Sequence, residues 1–457
     1  MQVTTIDHVD LDPGRFLWWT LDTTGSGTDV SPVPPSFNQL CHLDDTDDGS
    51  TWLAATFDVP GHVDEDALAR AFALLITRHG SLRSAFERAA DGNVRRLRFT
   101  PDSITLKRRE PVRTSTPART REVLWTALNR ECHPFAAPAY LLAVLDRPDR
   151  STVVCGFDHA YIDAYSVSLI VRDLHRLYRA CLDGETADDT DAPATGDFVD
   201  YCAEEWAADI VDVDDPRMQS WLAFFGRHGN TPPPFPLDLG VAVGTTHPQA
   251  ALLNHLLGPD DTRRFEEFCR SNGASLYAGV LSAMAHAVRR LGGGRRLSLL
   301  FPLHTRTDER WQSAVGWFTT NAPLDVVADD SFVDTVRSTG PALRRALTLG
   351  SVPLPQVIET MGGVNRSRKD IFMVSYVDYR RLPGHEDHRA LDARHISNVT
   401  VADDAQFWIS RTDDGLALRS RFPDTPVAHD VVSRFLAETS VVVAEASAPA
   451  PIPSVVH

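Results

Sequence analysis

Lysine is nearly absent from this chain, standing only at positions 107 and 369 among 45 basic residues. That skew toward arginine points to a GC-rich genome and says little about mechanism. A surplus of positive charge is missing too, because the formal net charge is −17 at pH 7. Phosphate neutralisation needs a basic face, so nucleic acid is not expected as a partner, and binding to anionic membranes is disfavoured. No apolar run approaches the roughly 20 residues that span a bilayer, which argues against stable membrane insertion. The opening "MQVTTIDHVD" has neither a basic start nor an apolar core, so no secretory signal is expected. The six cysteines, at 41, 132, 155, 181, 202 and 269, contain no C-x-x-C pair. This excludes the usual zinc spacing and argues against a disulfide framework. What remains is a reduced, cytoplasmic protein of enzyme size, expected to be monomeric and to need no metal.

What is present is globular. Apolar content of 43% and charged content of 23% are ordinary, and 457 residues suit two lobes of about 200 residues each better than one core. "TWLAATFDV" (51–59) reads as a strand and "VDEDALARAFALLITRHG" (63–80) as an amphipathic helix with acidic residues at its start and Gly80 as its cap. "AYLLAVLDR" (139–147) and "STVVCGFDH" (151–159) read as a strand pair, and "SVSLIVRDLHRLYRACLDG" (166–184) as a second helix. A Thr/Asp/Ala-rich stretch (183–197) and the Pro-rich "TPPPFPLDLG" (231–240) mark connections. Beyond them, "QAALLNHLLG", "SLYAGVLSAMAHAVRRLGG" and "RRLSLLFPL" repeat the strand-and-helix logic. The expected fold class is α/β with mixed sheets: an N-terminal lobe over 1–185, a connector over 186–245 and a C-terminal lobe over 246–457. A cleft between two such lobes is a common place for a pocket.

Within "CGFDHAYIDAYSVSLI" (155–170), Asp158, His159 and Asp163 interrupt an apolar run. The spacing alone carries no information, because "DHVDLD" at 7–12 shares it and His62, His304 and His388 each precede an aspartate by four positions. Context separates them. His159 ends an apolar strand and Asp163 sits in the turn before a helix, so the triplet lies on a loop held by rigid elements. An imidazole there, with an unperturbed pKa near neutrality, suits general-base work on a hydroxyl or amine. Asp163 is placed to fix the loop, and a semi-buried carboxylate asks for a cation, with arginine offering two donors. A histidine satisfied by backbone and an aspartate capping a helix would account for the same letters.

These residues resemble a known family. "DHAYIDA" is similar to the His-His-x-x-x-Asp-Gly signature of the condensation-domain superfamily, whose fold is a pair of chloramphenicol-acetyltransferase-like lobes set in a V with a tunnel between them. Further matches follow in family order: Ser36 and Gln39 in "PPSFNQL", the run "LITRHGSLRSAF" (75–86), "FVDYCAEEW" (198–206), "VGWFTTNAPLDV" (315–326) and "VPLPQVIE". "PVPPSFNQLCHL", "MVSYVDYRRLPG" (373–384) and "FWISRTDDGLALRSRFPD" (407–424) resemble the polyketide-associated acyltransferases of actinobacteria. In that branch a Pro-x-x-x-Arg element supplies a partner for the motif aspartate, and "PLHTR" (302–306) makes Arg306 that partner of Asp163. The chain departs from the signature twice, with Asp158 for the first histidine and Ala164 for the glycine. The first position is generally structural; the second matters if the turn needs a positive φ or lends N–H groups to an oxyanion.

The resemblance implies direct acyl transfer, with His159 taking the acceptor's proton as it attacks a thioester carbonyl, on coenzyme A or on a carrier protein's phosphopantetheine arm. No acyl-enzyme and no cofactor beyond that thioester co-substrate are implied. Trp317, Phe318, Tyr161 and Ser375 are the residues expected to line the tunnel, with core packing the alternative for Trp317 and Phe318. "NRSRK" (365–369) or Arg295 and Arg296 would serve as the basic patch that coenzyme A wants, unless they are ordinary solvated faces. Cys155, four residues before His159, invites a Cys–His nucleophile reading, against which stands an ordinary buried core thiol. Three functions are open at this point: an ester-forming acyltransferase acting on a hydroxyl of a secondary metabolite, sugar or lipid; a free-standing peptide-synthetase condensation enzyme making an amide between carrier-bound substrates; and a non-catalytic module that recruits carrier proteins or an oxygenase.

Overall fold

Eight consecutive residues from Ser151 to Asp158 are buried, as expected of a strand covered on both faces. The structure is a computed structural model describing residues 1–22, 28–44, 50–103, 105–185 and 195–448. In it the strand Arg150–Asp158 lies mid-sheet, antiparallel to Tyr140–Asp146 on one side and to Trp52–Pro60 on the other. The sheet continues through Arg15–Asp22 to Thr105–Arg108 at one edge, and through Arg394–Ser397 to Gln2–Thr5 at the other. The connection expected over 183–197 falls mostly on residues outside the described ones.

Helices cover both faces of this sheet. On one face Phe57, Val153, Cys155 and Phe157 pack with Leu68, Phe72 and Leu75 of the helix Glu65–Arg78 and with Val167 and Leu174 of the helix Ala164–Leu182. On the other, Leu141, Ala143 and Val154 meet Leu124 and Leu128 of the helix Pro117–Glu131. Gly156 allows that close approach, since a Cβ there would run into the Leu128 side chain. Gly80, expected as a helix cap, is a correction. The first helix ends at Arg78, His79 caps it through its N–H to Leu75 O at 3.2 Å, and Gly80 opens a 3-10 turn without a left-handed φ. Glycine is needed there because a Cβ would collide with the Asp197 carboxylate.

The chain divides into two compact units that are not contiguous in sequence. The first comprises Met1–Asp209, His304–Thr319 and Arg381–Thr400; the second comprises Ile210–Leu303, Thr320–Arg380 and Val401–His457. The divisions anticipated at 185 and 245 therefore differ from those of the structure, in which two short returns of the chain pack with the first unit. The second unit holds its own sheet, in which Met373–Asp378 pairs in parallel with Gln406–Thr412, followed antiparallel by Gly415–Pro423 and His247–Leu257. Its core is built on the helices Leu276–Arg290 and Pro426–Ser447, with Met284, Phe407 and Phe435 at its centre. The expected mixed α/β class is present in both units.

The "RHGSLR" run locks the two helices of the first unit together. Arg78 Nε and His79 Nε2 lie 3.0 and 3.1 Å from Asp173 Oδ2, while Arg172 Nε donates to Oδ1 at 2.7 Å. Burial alone would raise the Asp173 carboxyl, but the bonds and charges of His79 and Arg172 outweigh it and hold it well below the usual carboxylate range. His79, fully buried, is lowered chiefly by that burial. Both shifts have one sign: folding favours the deprotonated forms. Stability is therefore present at neutral pH and is lost on acidification, first below about 6.5 through His79 and then below about 4 through Asp173. We expect Asp173→Asn to lose about 3–5 kcal/mol at pH 7, as for breaking a buried pair, and to show a flatter pH dependence below 5 in urea unfolding. An unchanged midpoint and slope would remove the ion cluster from the account.

Candidate active site

The strand Arg150–Asp158 ends on two main-chain bonds, Asp158 N to Ala139 O at 3.0 Å and His159 N to Thr51 O at 2.9 Å. The chain then turns, with Tyr161 N donating to Asp158 O at 3.0 Å and Ala160 N to Asp158 Oδ1 at 2.9 Å. Gln39 holds the turn from outside, its Nε2 donating to Ala160 O at 2.7 Å. Ser36 and Gln39 cap the helix Phe37–Asp44 reciprocally, through Gln39 N to Ser36 Oγ and Ser36 N to Gln39 Oε1. Three N–H groups of the turn, those of His159, Ala160 and Tyr161, are thus committed internally and do not serve as oxyanion donors. Ala164 begins the helix Ala164–Leu182 and its φ lies outside the left-handed region, so its methyl group costs nothing where the signature has glycine.

Asp163 caps that helix, accepting from Ser166 N at 2.7 Å, and it meets Arg306. Arg306 Nη2 lies 3.1 and 3.2 Å from the two carboxylate oxygens, and Asp163 Oδ2 also accepts from Phe318 N at 3.1 Å. The guanidinium is 1% exposed and spends its other donors on Trp311 O, Ala314 O and Ser166 Oγ at 2.6, 2.5 and 2.9 Å. Its flat faces lie against the rings of Tyr165 and Phe318, 4.4 and 4.2 Å from the centroids. The result is a folded-back segment, 304–319, fastened to the N-terminus of the helix that follows His159.

That fastening brings Trp317 under His159. The two ring centroids are 4.1 Å apart with 33° between planes, and His42 stands 5.9 Å from Trp317 and 6.3 Å from His159. His42 Nε2 lies 2.9 and 3.1 Å from the oxygens of Asp158, a carboxylate with no exposure. His159 itself is half-buried, and its Nδ1 is buried without a partner from any other described residue. Burial first, and His42 second, lower its pKa against the raising influence of its own main chain, Asp158 and Asp163. At neutral pH the imidazole is unprotonated and can accept a proton.

Two expected lining residues, Tyr161 and Phe318, belong to the core instead. Tyr161 is a core residue, 1% exposed, packed on Phe86 and Tyr140, with its hydroxyl donating to Ser84 O at 2.9 Å. Phe318 is likewise fully buried among Phe198, Tyr201 and Trp311 and serves as a face for Arg306. Alternation along the chain explains the split, since Trp317 and Phe318 point opposite ways. Ser375 sits half-exposed on a strand of the second unit, opposite in facing to the buried Val374. The Cys155 thiol is buried in the sheet core and pushed far up by that burial, so it is no nucleophile. Arg295 and Arg296 pair with Asp330 and Asp325 at 3.0 and 3.2 Å, which blunts them as an anion patch. Among the rival histidines, His62 Nδ1 lies 3.1 Å from Asp146 and His8 Nδ1 3.0 Å from Thr5 Oγ1. A cavity of about 510 Å³ lined by Arg15, His62, Asp146 and Arg147 lies at the far end of the strand from His159 and has no part in this site. The residue that sequence reading passed over is His42; its signal was the three-residue spacing from Gln39, which places both on one helix face. No metal-holding cluster occurs among the described residues, and no described helix is long and apolar enough to cross a membrane.

The chain is similar to known proteins over nearly its whole length. Residues 39–406 match the Condensation domain family. The trehalose-2-sulfate acyltransferase PapA2 of Mycobacterium tuberculosis is 26% identical over 453 residues, spanning 95% of each chain. The acyltransferase PapA3 of the same species is 24% identical over 461 residues, covering 96% of this chain and 95% of its own. A solved structure of PapA2 acyl transferase superposes with a TM-score of 0.87 at 23% identity, over 98% of this chain and all of the other.

Arg306→Lys keeps the charge but forfeits the flat fork that reaches Asp163, Trp311, Ala314 and Ser166 together. We expect it to destabilise the protein by about 3 kcal/mol or more and to loosen the 159–163 turn, read as a lower melting temperature and faster amide exchange at residues 160–166. Wild-type stability and exchange in this variant would show that the pair does not hold the loop.

Proposed function

The chain belongs to the Condensation domain family and is an acyltransferase, and from that premise we propose that it moves an acyl group from a thioester to a hydroxyl group, with His159 as the general base. The observation that carries this reading is the state of one side chain. His159 is unprotonated at neutral pH, its Nδ1 is sealed, and Nε2 is the ring nitrogen left to meet a substrate. Nε2 accepts the hydroxyl proton as the oxygen attacks the thioester carbonyl. The tetrahedral intermediate then collapses, the C–S bond breaks, and the proton passes from the imidazolium to the departing thiolate. An ester and a thiol result, and the histidine ends as it began. No acyl-enzyme forms, consistent with Cys155 lying in the core as a neutral thiol. Trp317 backs the imidazole, and Asp163 with Arg306 holds the turn on which it rides.

The acceptor proposed is a sugar hydroxyl. Support comes from the trehalose-2-sulfate acyltransferase that is similar over nearly the whole chain. The donor proposed is an acyl group on coenzyme A or on a carrier protein's phosphopantetheine arm, because a thiolate leaves readily without protonation in advance.

Turnover of a panel of acyl-CoAs and acyl carrier proteins with trehalose-type acceptors, followed by intact mass, tests this. His159→Ala is expected to lose about 10²–10⁴-fold in kcat, Cys155→Ala to stay within a few-fold, and no acyl adduct to accumulate on the protein. Activity requires the unprotonated base, so the acid limb of kcat/KM should fall below about pH 6.5, the ordinary histidine value, because the folded pKa is lowered. Full activity in His159→Ala, or a stable acyl-protein, would sink the proposal.

A further inference from the structure

The helix Phe37–Asp44 grips the residues on either side of His159 in sequence. Gln39 holds the carbonyl of Ala160, the residue after it, at 2.7 Å. His42, one helical turn on, holds the carboxylate of Asp158, the residue before it, at 2.9 and 3.1 Å. Asp158 has no exposure and lies next to the imidazole in the chain; among the described residues no lysine or arginine pairs with it. A buried carboxylate demands a compensating donor. Left uncompensated beside His159, it would favour the imidazolium and so remove the base.

We propose that His42 is a positioning residue for the acyl transfer: by hydrogen bonding to Asp158 it holds the carboxylate that adjoins His159 and, standing edge-on to Trp317, it fixes the indole on which His159 lies. The proposal rests on the reading of His159 as the base. It gives His42 a task that neither the Asp-His-x-x-x-Asp pattern nor the Asp163–Arg306 pair performs. Indole and imidazole contacts support the second half, with His42 at 82° to the Trp317 plane and 5.9 Å from its centroid.

Other charges bear on the same ring. Asp163 raises the His159 pKa but is itself paired with Arg306. Around Asp158 stand the Cys132 thiol and the Tyr161 hydroxyl, both kept protonated at neutral pH chiefly by burial. Among the described groups facing His159, His42 adds to burial in lowering its pKa.

The test is a titration of His159 by NMR on protein with ¹³C,¹⁵N-labelled histidine, the resonance being identified by its loss in His159→Ala. His42→Gln and His42→Asn keep a donor for Asp158 and remove the imidazole. Each is expected to move the His159 titration upward by about half a unit to one unit, because the influence of His42 that lowers it is lost. The acid limb of kcat/KM should move with it. Asp158→Asn is expected to move the titration the other way. An unmoved or lowered titration in the His42 variants overturns the proposal, and so does an upward shift there with no downward shift in Asp158→Asn. The titration needs no substrate, so its failure is separate from failure of the acyl-transfer reading, which turnover of His159→Ala decides.

Discussion

A guanidinium sealed from water against one carboxylate is the constraint on which the site depends. Arg306 and Asp163 are far apart in sequence, and their union sets three things together: the cap of the helix Ala164–Leu182, the seat of the segment 304–319, and the height at which Trp317 meets His159. Taking two charges out of water is expensive, and it succeeds here because nearly every donor of the fork finds an oxygen and both flat faces find a ring. Only Nε is left without a partner. A pair so heavily bonded has one geometry, and the turn inherits it.

Rigidity and reactivity are divided between different residues. Asp158, Ala160, Gln39 and Asp163 are all engaged in hydrogen bonds that shape the turn, so none is left to react. The imidazole between them has its Nδ1 sealed and, among the described residues, without a hydrogen-bond partner. A base need not be strong under these conditions, because the work of orientation has been done by the fold before any substrate arrives.

Much of this was legible in the letters, for reasons that can be stated. The strand 151–159 announced itself by the apolar run at its centre, the helices by their 3.6-residue stripes, and Asp163 as a cap by its place before one of them. Arg306 was legible only through the resemblance of "PLHTR" to a known element, since nothing local says that it folds back to residue 163. Where reading failed, orientation was the missing variable. Tyr161 and Phe318 lie in the right segments but face the core, and a one-residue step on extended chain reverses a side chain. His42 went unnoticed because its partner is 116 positions away. Gly80 looked like a left-handed cap and is instead a place where no Cβ fits against Asp197. Boundaries of the units were the least legible, because composition changes at linkers while the returns at 304–319 and 381–400 are short and ordinary in composition.

The interleaving of the two units has a consequence for how this protein could be made or inherited in pieces. A fragment ending at residue 209 would contain Asp163 without the guanidinium that matches it, and without the strand Arg394–Ser397 that pairs with Trp52–Pro60. No single cut separates the molecule into halves that each own their interior. Exchange of one unit between relatives would demand several simultaneous crossovers, and a nascent chain must wait until residue 400 has been synthesised before its first unit can close.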